Sequence, residues 1–221
     1  MRIARVAALG LVVAVAVAPA AGAQKVKGGG SEMYVGPWAG LNFASFSVTN
    51  LPGATFGSYT GFAIGGELQR TLSPNIFLRV GAFYSMRGSE LTDQSGGGSV
   101  TIKLSYIEIP AVVGYSFAMQ GSSVQPYVMA GGQFAFKASC SVEGGGVSVD
   151  CDTALGGSVS GTDLGLTFGA GVAFPAGSGR VMVDARYLIG LTNLVSAITT
   201  DQTIKNQGFT ITAGYMIPVG R

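Results

Sequence analysis

From Asp163 to Phe174 the chain changes character at every residue. Leu164, Leu166, Phe168, Ala170, Val172 and Phe174 fall on one face, and Asp163, Gly165, Thr167, Gly169, Gly171 and Ala173 on the other. A period of two puts alternate side chains on opposite sides of an extended backbone, so this stretch is a strand whose faces meet different surroundings. The alternation recurs over residues 34–47, 59–72, 76–87, 101–116, 124–137, 179–191 and 203–219, and no helical period competes with it after residue 30. The residues are 48% hydrophobic and 11% charged, with 36 glycines. A soluble domain carries about a quarter charged residues, so this composition excludes disorder, coiled coil and most soluble enzymes. The apolar content is dispersed: beyond the N-terminal region no apolar run reaches the roughly 18 residues that mark a transmembrane helix.

The connections between these strands alternate in length. Those at 48–58, 88–100, 138–161 and 192–202 are long, and those at 73–75, 117–123 and 176–178 are short. One end of the structure is therefore loopy and the other tight. This predicts an all-β fold, an eight-stranded antiparallel up-and-down transmembrane β-barrel with short periplasmic turns, long extracellular loops and both termini periplasmic. A soluble barrel of the lipocalin kind has as many strands, but turns bulky apolar residues inward and charge outward. Here the non-apolar face is glycine, threonine and alanine with isolated charges, which suits a narrow lumen better than a water-facing exterior. The apolar face, including Val181, Val183, Ala185, Tyr187, Ile189 and Leu191 near one end of the chain and Phe209, Ile211, Ala213, Tyr215, Ile217 and Val219 after it, is expected to meet lipid. Tyr115, Tyr187 and Tyr215 suit an interfacial aromatic girdle. Pro110 and Pro126 fall inside strands, where each removes a ladder hydrogen bond, and Trp38 lands on the luminal parity, where an indole needs unusual room.

The N-terminus reads as a secretory signal over residues 1–23. Arg2 and Arg5 form a positive start, Val6–Ala18 an apolar stretch too short for a hydrocarbon core about 30 Å thick, and Ala21-Gly22-Ala23 a cleavage site. A flexible leader is expected over 24–33 and the barrel over 34–221. The net charge of +2 offers no basic surface for nucleic acid.

Several strand phrases carry a family likeness. Gly40-Leu41-Asn42-Phe43, Tyr106-Ile107-Glu108-Ile109-Pro110, Pro126-Tyr127-Val128-Met129-Ala130-Gly131, Gly169-Ala170-Gly171 and Arg186-Tyr187-Leu188-Ile189-Gly190-Leu191-Thr192-Asn193 occur in that order. Between Tyr34 and Val219 the chain resembles the small bacterial outer-membrane β-barrel proteins called PorT-like, which place prolines where Pro110 and Pro126 stand. The resemblance implies an outer-membrane location and a barrel fold. It also implies a link to protein secretion, through a secretion-system or extracellular protein partner. Outer-membrane barrels usually end in an aromatic read by the barrel assembly machinery, whereas this chain ends Ile217-Pro218-Val219-Gly220-Arg221.

Chemistry is sparse. Histidine is absent, which removes the commonest general base, and no serine–histidine constellation, phosphate-binding loop or metal-spaced cluster is present. No catalytic, cofactor-binding or metal-binding residue is assigned, and Asp150 and Asp152 read as solvated loop charges. Cys140 and Cys151 lie in the longest loop of an exported chain and are expected to form a disulfide that restrains a glycine-rich tip. The inward parity carries Glu67, Glu108, Asp163 and Asp184 against Arg79, Arg87, Lys137 and Arg186. Charges near strand ends can reach water, but Glu67, Glu108, Asp184 and Arg186, with Arg79, are expected to form a connected luminal network, because an unpaired buried ion loses hydration that only a partner returns. The resulting function is a non-enzymatic structural or interaction barrel held in outer-membrane lipid, with its loops contacting a surface or partner. The alternative is a small-solute channel or an accessory component of secretion. Eight strands enclose an interior just wide enough for side chains, which favours the first.

Overall fold

Each alternating stretch forms a strand, and the strands run on past the alternation towards the loops. The computed structural model describes residues 32–49, 54–93, 99–119, 121–154, 159–195 and 203–219; the expected signal over 1–23 and most of the leader over 24–33 lie outside them. In chain order the elements are β1 (Met33–Thr49), β2 (Ala54–Thr71), β3 (Ile76–Asp93), β4 (Ser99–Ser116), β5 (Gln125–Gly144), β6 (Val147–Asp150), α1 (Cys151–Ala154), β7 (Thr162–Ala176), β8 (Gly179–Gly190) and β9 (Thr203–Val219).

Every pairing is antiparallel. The ring runs β1-β2-β3-β4-β5-β7-β8-β9, and β9 returns to β1 in register from Met33↔Val219 to Thr49↔Thr203, so eight long strands close the sheet and leave no free edge among them. The short β6 pairs only with β5. Two tight turns show why glycine is needed. Gly177, with φ +57°, opens the two-residue link between Ala176 and its partner Gly179, and Gly145 and Gly146 are both at positive φ between Gly144 and Val147, as a type I′ hairpin requires.

The faces separate as the alternation predicts. Leu41, Phe62, Ile64, Ile107, Val113, Leu166, Phe168, Ile189 and Ile211 stand exposed on the outside, while Arg79, Asp184, Tyr106, Tyr127 and Met216 are buried inside. The expected girdle tyrosines Tyr115, Tyr187 and Tyr215 all point outward. Phe168, Tyr187, Phe209 and Phe43 are successive register partners across β7, β8, β9 and β1, which sets four outward aromatic rings side by side. Among the described residues no helix is long and apolar enough to cross a membrane.

Strands of 18 residues in β2, β3 and β4 and 20 in β5 exceed the roughly 9–11 that cross a bilayer. The surplus lies at the loop end, where Glu90, Thr92, Thr101, Lys103, Ser141 and Glu143 replace outward apolar residues. Much of what the sequence marks as the long connections 48–58, 88–100 and 138–161 is therefore continued sheet. A bulge makes one continuation possible. Tyr106 pairs with Lys137 but Ser105 pairs with Ser139, so Ala138 is the extra residue and the facing of β5 reverses beyond it, turning Cys140 inward.

The awkward residues have local explanations. Trp38 fits the lumen because Gly214 faces it: a Cβ there would come within 2.4 Å of the indole. Pro110 sits in an unbroken β3–β4 register but in a gap of the ladder between Val80↔Ala111 and Phe83↔Glu108. Pro126 is the second residue of β5, where the strand is only beginning.

Candidate functional site: the luminal ion cluster

Inward parity brings Glu67 and Gln69 from β2, Arg79 from β3 and Asp184 and Arg186 from β8 to one level of the lumen. Arg79 Nη1 lies 2.7 Å from Asp184 Oδ2 and 3.4 Å from Glu67 Oε2. Arg186 Nη2 lies 2.7 Å from Glu67 Oε1 and 2.5 Å from Asp184 Oδ2. Two guanidinium groups thus face two carboxylates, and the cluster is neutral. In the ring β3 and β8 are four strands apart, on opposite walls, so the Arg79–Asp184 pair spans the full width of the barrel.

The surrounding side chains complete the plug. Tyr127 on β5 donates its hydroxyl to Asp184 Oδ1, and Gln69 Oε1 accepts from Arg79 Nε and Nη2, both at 3.3 Å. The Arg79 guanidinium lies 5.1 Å from the ring centroids of Trp38, Phe77 and Tyr127, within range of cation–π attraction. Trp38 Nε1 donates to Met216 Sδ at 3.1 Å. Charge, hydrogen-bond and aromatic partners together meet the desolvation requirement of four buried ions.

Glu108 does not join this group. It pairs with Arg87, whose Nε is 2.7 Å from Glu108 Oε1, because both residues stand nearer the loop end, on β4 and β3. Between the two groups is a cavity of about 30 Å³ bordered by Phe83, Arg87, Glu108, Gln133, Arg186 and Thr212, room for one or two water molecules. Polar bridges tie other walls together. Asn206 Nδ2 donates to Asp163 Oδ2 at 2.7 Å and to Tyr106 Oη at 3.1 Å, and Thr210 Oγ1 donates to Asn42 Oδ1 at 2.7 Å.

The loop end is capped. A disulfide joins Cys140 on β5 to Cys151 at the start of α1, with Cα atoms 5.3 Å apart. It sits within the structure and not at a loop tip: Cys151 is fully buried and packs with Phe46, Leu104, Tyr106, Ala135 and Leu194. Outside the apolar belt, Lys103 donates to Glu143 Oε2 at 2.5 Å, a hydrogen bond that raises the lysine above its ordinary pKa.

Some participants were readable and were passed over. Arg180 shares the inward parity of Asp184 and Arg186, yet the balanced count of four charges of each sign omits it. Tyr127, Gln69 and Asn206 also carry inward parity, but nothing in a neutral side chain's sequence context marks the ion it will serve. Among the described residues no three of His, Cys, Asp and Glu gather as a metal site.

The architecture is shared with a solved outer-membrane protein. The outer membrane protein OprG of Pseudomonas aeruginosa superimposes with a TM-score of 0.57 at 13% identity, covering 85% of this chain and 96% of that one. Neisserial surface protein A gives a TM-score of 0.47 at 20% identity, covering 83% of this chain and 96% of that one. No curated protein matches by sequence. The family description of the outer membrane protein beta-barrel domain matches residues 23–196, most of the chain, and the protein therefore belongs to that family, as a barrel of the bacterial outer membrane.

Proposed function

We propose that this protein is a non-enzymatic anchor, a filled barrel that holds its loop end at the cell surface for contact with a surface or protein partner. The observation that carries this reading is the Arg79–Asp184 pair, which joins opposite walls of the lumen at 2.7 Å with Glu67, Trp38 and Tyr127 buried around it. Rigidity at the other end supports it. The strands extend past the apolar belt, and a buried disulfide fastens the β5–β6 hairpin and α1 over the loop-end mouth. That is a preorganised platform, which lowers the ordering entropy of binding a partner.

In this reading the signal over residues 1–23 directs export, the barrel assembly machinery inserts the chain, both termini and the short turns face the periplasm, and the long connections face outward. The surface partner is an extracellular protein or a component of secretion. Chemistry is left without a candidate nucleophile and base, since the buried carboxylates and guanidiniums neutralise one another. Planar-bilayer recording of the refolded protein tests the plug: no discrete conductance steps are expected, and stable steps would overturn the anchor in favour of a channel. Impermeant labelling of whole cells tests the topology, with a tag after Gly145 labelled and one after Gly177 protected.

A further inference from the structure

Arg180 is an inward cation that makes no close ion pair among the described residues, with Glu32, beside Tyr34, acting on it only at longer range. It stands on β8 just after the Gly177-Ser178 turn, below the luminal cluster, and its Nε and Nη2 are buried with no hydrogen-bond partner among the described residues. Its guanidinium carbon lies 3.7 Å from the centroid of the Tyr34 ring, within cation–π range. The Tyr34 hydroxyl is already used, donating to Glu32 Oε2 at 2.8 Å. Beside Arg180 opens a pocket of about 220 Å³ at the turn end. Ser123, Gln125 and Ser178 bring polar groups to its wall, and Phe174, Pro175 and Pro218 bring apolar surface from the rim.

These features belong together physically. A half-buried guanidinium with two nitrogens lacking hydrogen-bond partners is stabilised by any anion that completes them. The two orphaned nitrogens, Nε and Nη2, form one edge of the guanidinium, the fork that takes a carboxylate or phosphate through two parallel hydrogen bonds. The pocket, which Arg180 lines, is large enough for a tetrahedral oxyanion, and binding one requires the Nε–Nη2 edge, which is closed to solvent, to turn onto it. Its mixed lining, mostly apolar with a few polar groups, at the edge of the outward belt, matches a group with a charged head and an apolar continuation.

We propose that the Arg180 pocket is a phosphate-binding site at the turn end of the barrel, taking a phosphate ester with its oxygens on the Arg180 fork and hydrogen bonds from Ser123, Gln125 or Ser178. Two sources share this chemistry, a phospholipid headgroup and free phosphate. Assigning the lipid to the periplasmic leaflet rests on the topology proposed above, but binding in the pocket does not.

The test uses the folded protein in a phosphate-free maltoside detergent, titrated calorimetrically with inorganic phosphate in one arm and dihexanoyl phosphatidylglycerol in the other. Saturable binding is expected, weakened about tenfold or more in Arg180→Gln, as loss of a charge-assisted bidentate pair implies, and unchanged in Lys103→Gln at the opposite end. Arg180→Lys keeps the charge without the fork and should fall between. Binding of the lipid alone assigns the site to a headgroup, and equal binding of both assigns it to phosphate. Absence of binding in both arms, or Arg180→Gln binding as tightly as the parent, would overturn the proposal. Phosphate or lipid should also raise the unfolding temperature of the parent and not that of Arg180→Gln, which itself should fold at least as well because it removes an uncompensated charge. Whole-cell labelling decides the topology separately, so reversed accessibility would move the lipid source to the other leaflet and leave the detergent result intact.

Discussion

At Asp184, which is fully buried, one carboxylate accepts from Arg79, Arg186 and Tyr127 at once. Replacing it by alanine strands two guanidinium groups with only Glu67 between them, so Asp184→Ala should destabilise the barrel by about 3–5 kcal/mol. Lys103→Ala breaks an ion pair that is a third exposed on each side and should change stability by less than about 1 kcal/mol. Urea unfolding followed through Trp38, the single tryptophan and a neighbour of the cluster, measures both. Equal losses would mean that the cluster is hydrated and does not plug the lumen. Small residues matter here as much as charges. Gly214→Val drives a side chain into the indole, which a Cβ alone would meet at 2.4 Å, and should destabilise by about 1–3 kcal/mol through overpacking.

Strands lengthened beyond the bilayer change what the loops are. The β5 strand carries its hairpin with β6 well past the outward apolar residues, and the bulge at Ala138 rotates that extension so that Cys140 meets Cys151 inside the cap. The disulfide closes a short loop, so its entropic stabilisation is modest, about 2–3 kcal/mol in the chain-entropy picture, and local. Removing both thiols as Cys140→Ser with Cys151→Ser should make the region around Gly145 more susceptible to protease, while the eight-strand ring, whose ladders do not depend on α1, keeps its folded migration on an unboiled gel. Loss of the folded band would show instead that the cap is part of the barrel's cooperative unit.

The whole molecule is held in place by its outer face. Ile211 lies within that face on β9, 43% exposed, between Phe209 and Ala213. In lipid, Ile211→Lys should weaken folding into vesicles by about 2–4 kcal/mol, the depth-dependent penalty for a cation on a barrel wall. On a water-facing surface the same change would be close to neutral, so refolding yield into vesicles against detergent reads the solvent directly. The closed ring also explains why the long strands need no edge protection: each has a neighbour on both sides, and among the described residues β6 alone ends a ladder.

Period-two alternation is a local property, and it was enough to determine the cores of the eight long strands, their inward and outward faces and the closed barrel they make, but not how far the strands run on towards the loop end or the short β6. It also placed Glu67, Arg79, Asp184 and Arg186 on one surface. What it left open depended on distance across the lumen. Glu108 and Asp184 have the same parity, but Glu108 is met diagonally by Arg87 of the adjacent strand, whereas Asp184 meets Arg79 from the far wall. Likewise the bulge that turns Cys140 inward, the glycine that admits Trp38 and the pocket that leaves Arg180 unpaired arise from neighbours far away in the chain. A residue's face follows from its immediate sequence, whereas its partner follows from closure and stagger of the whole ring, which only the tertiary structure sets.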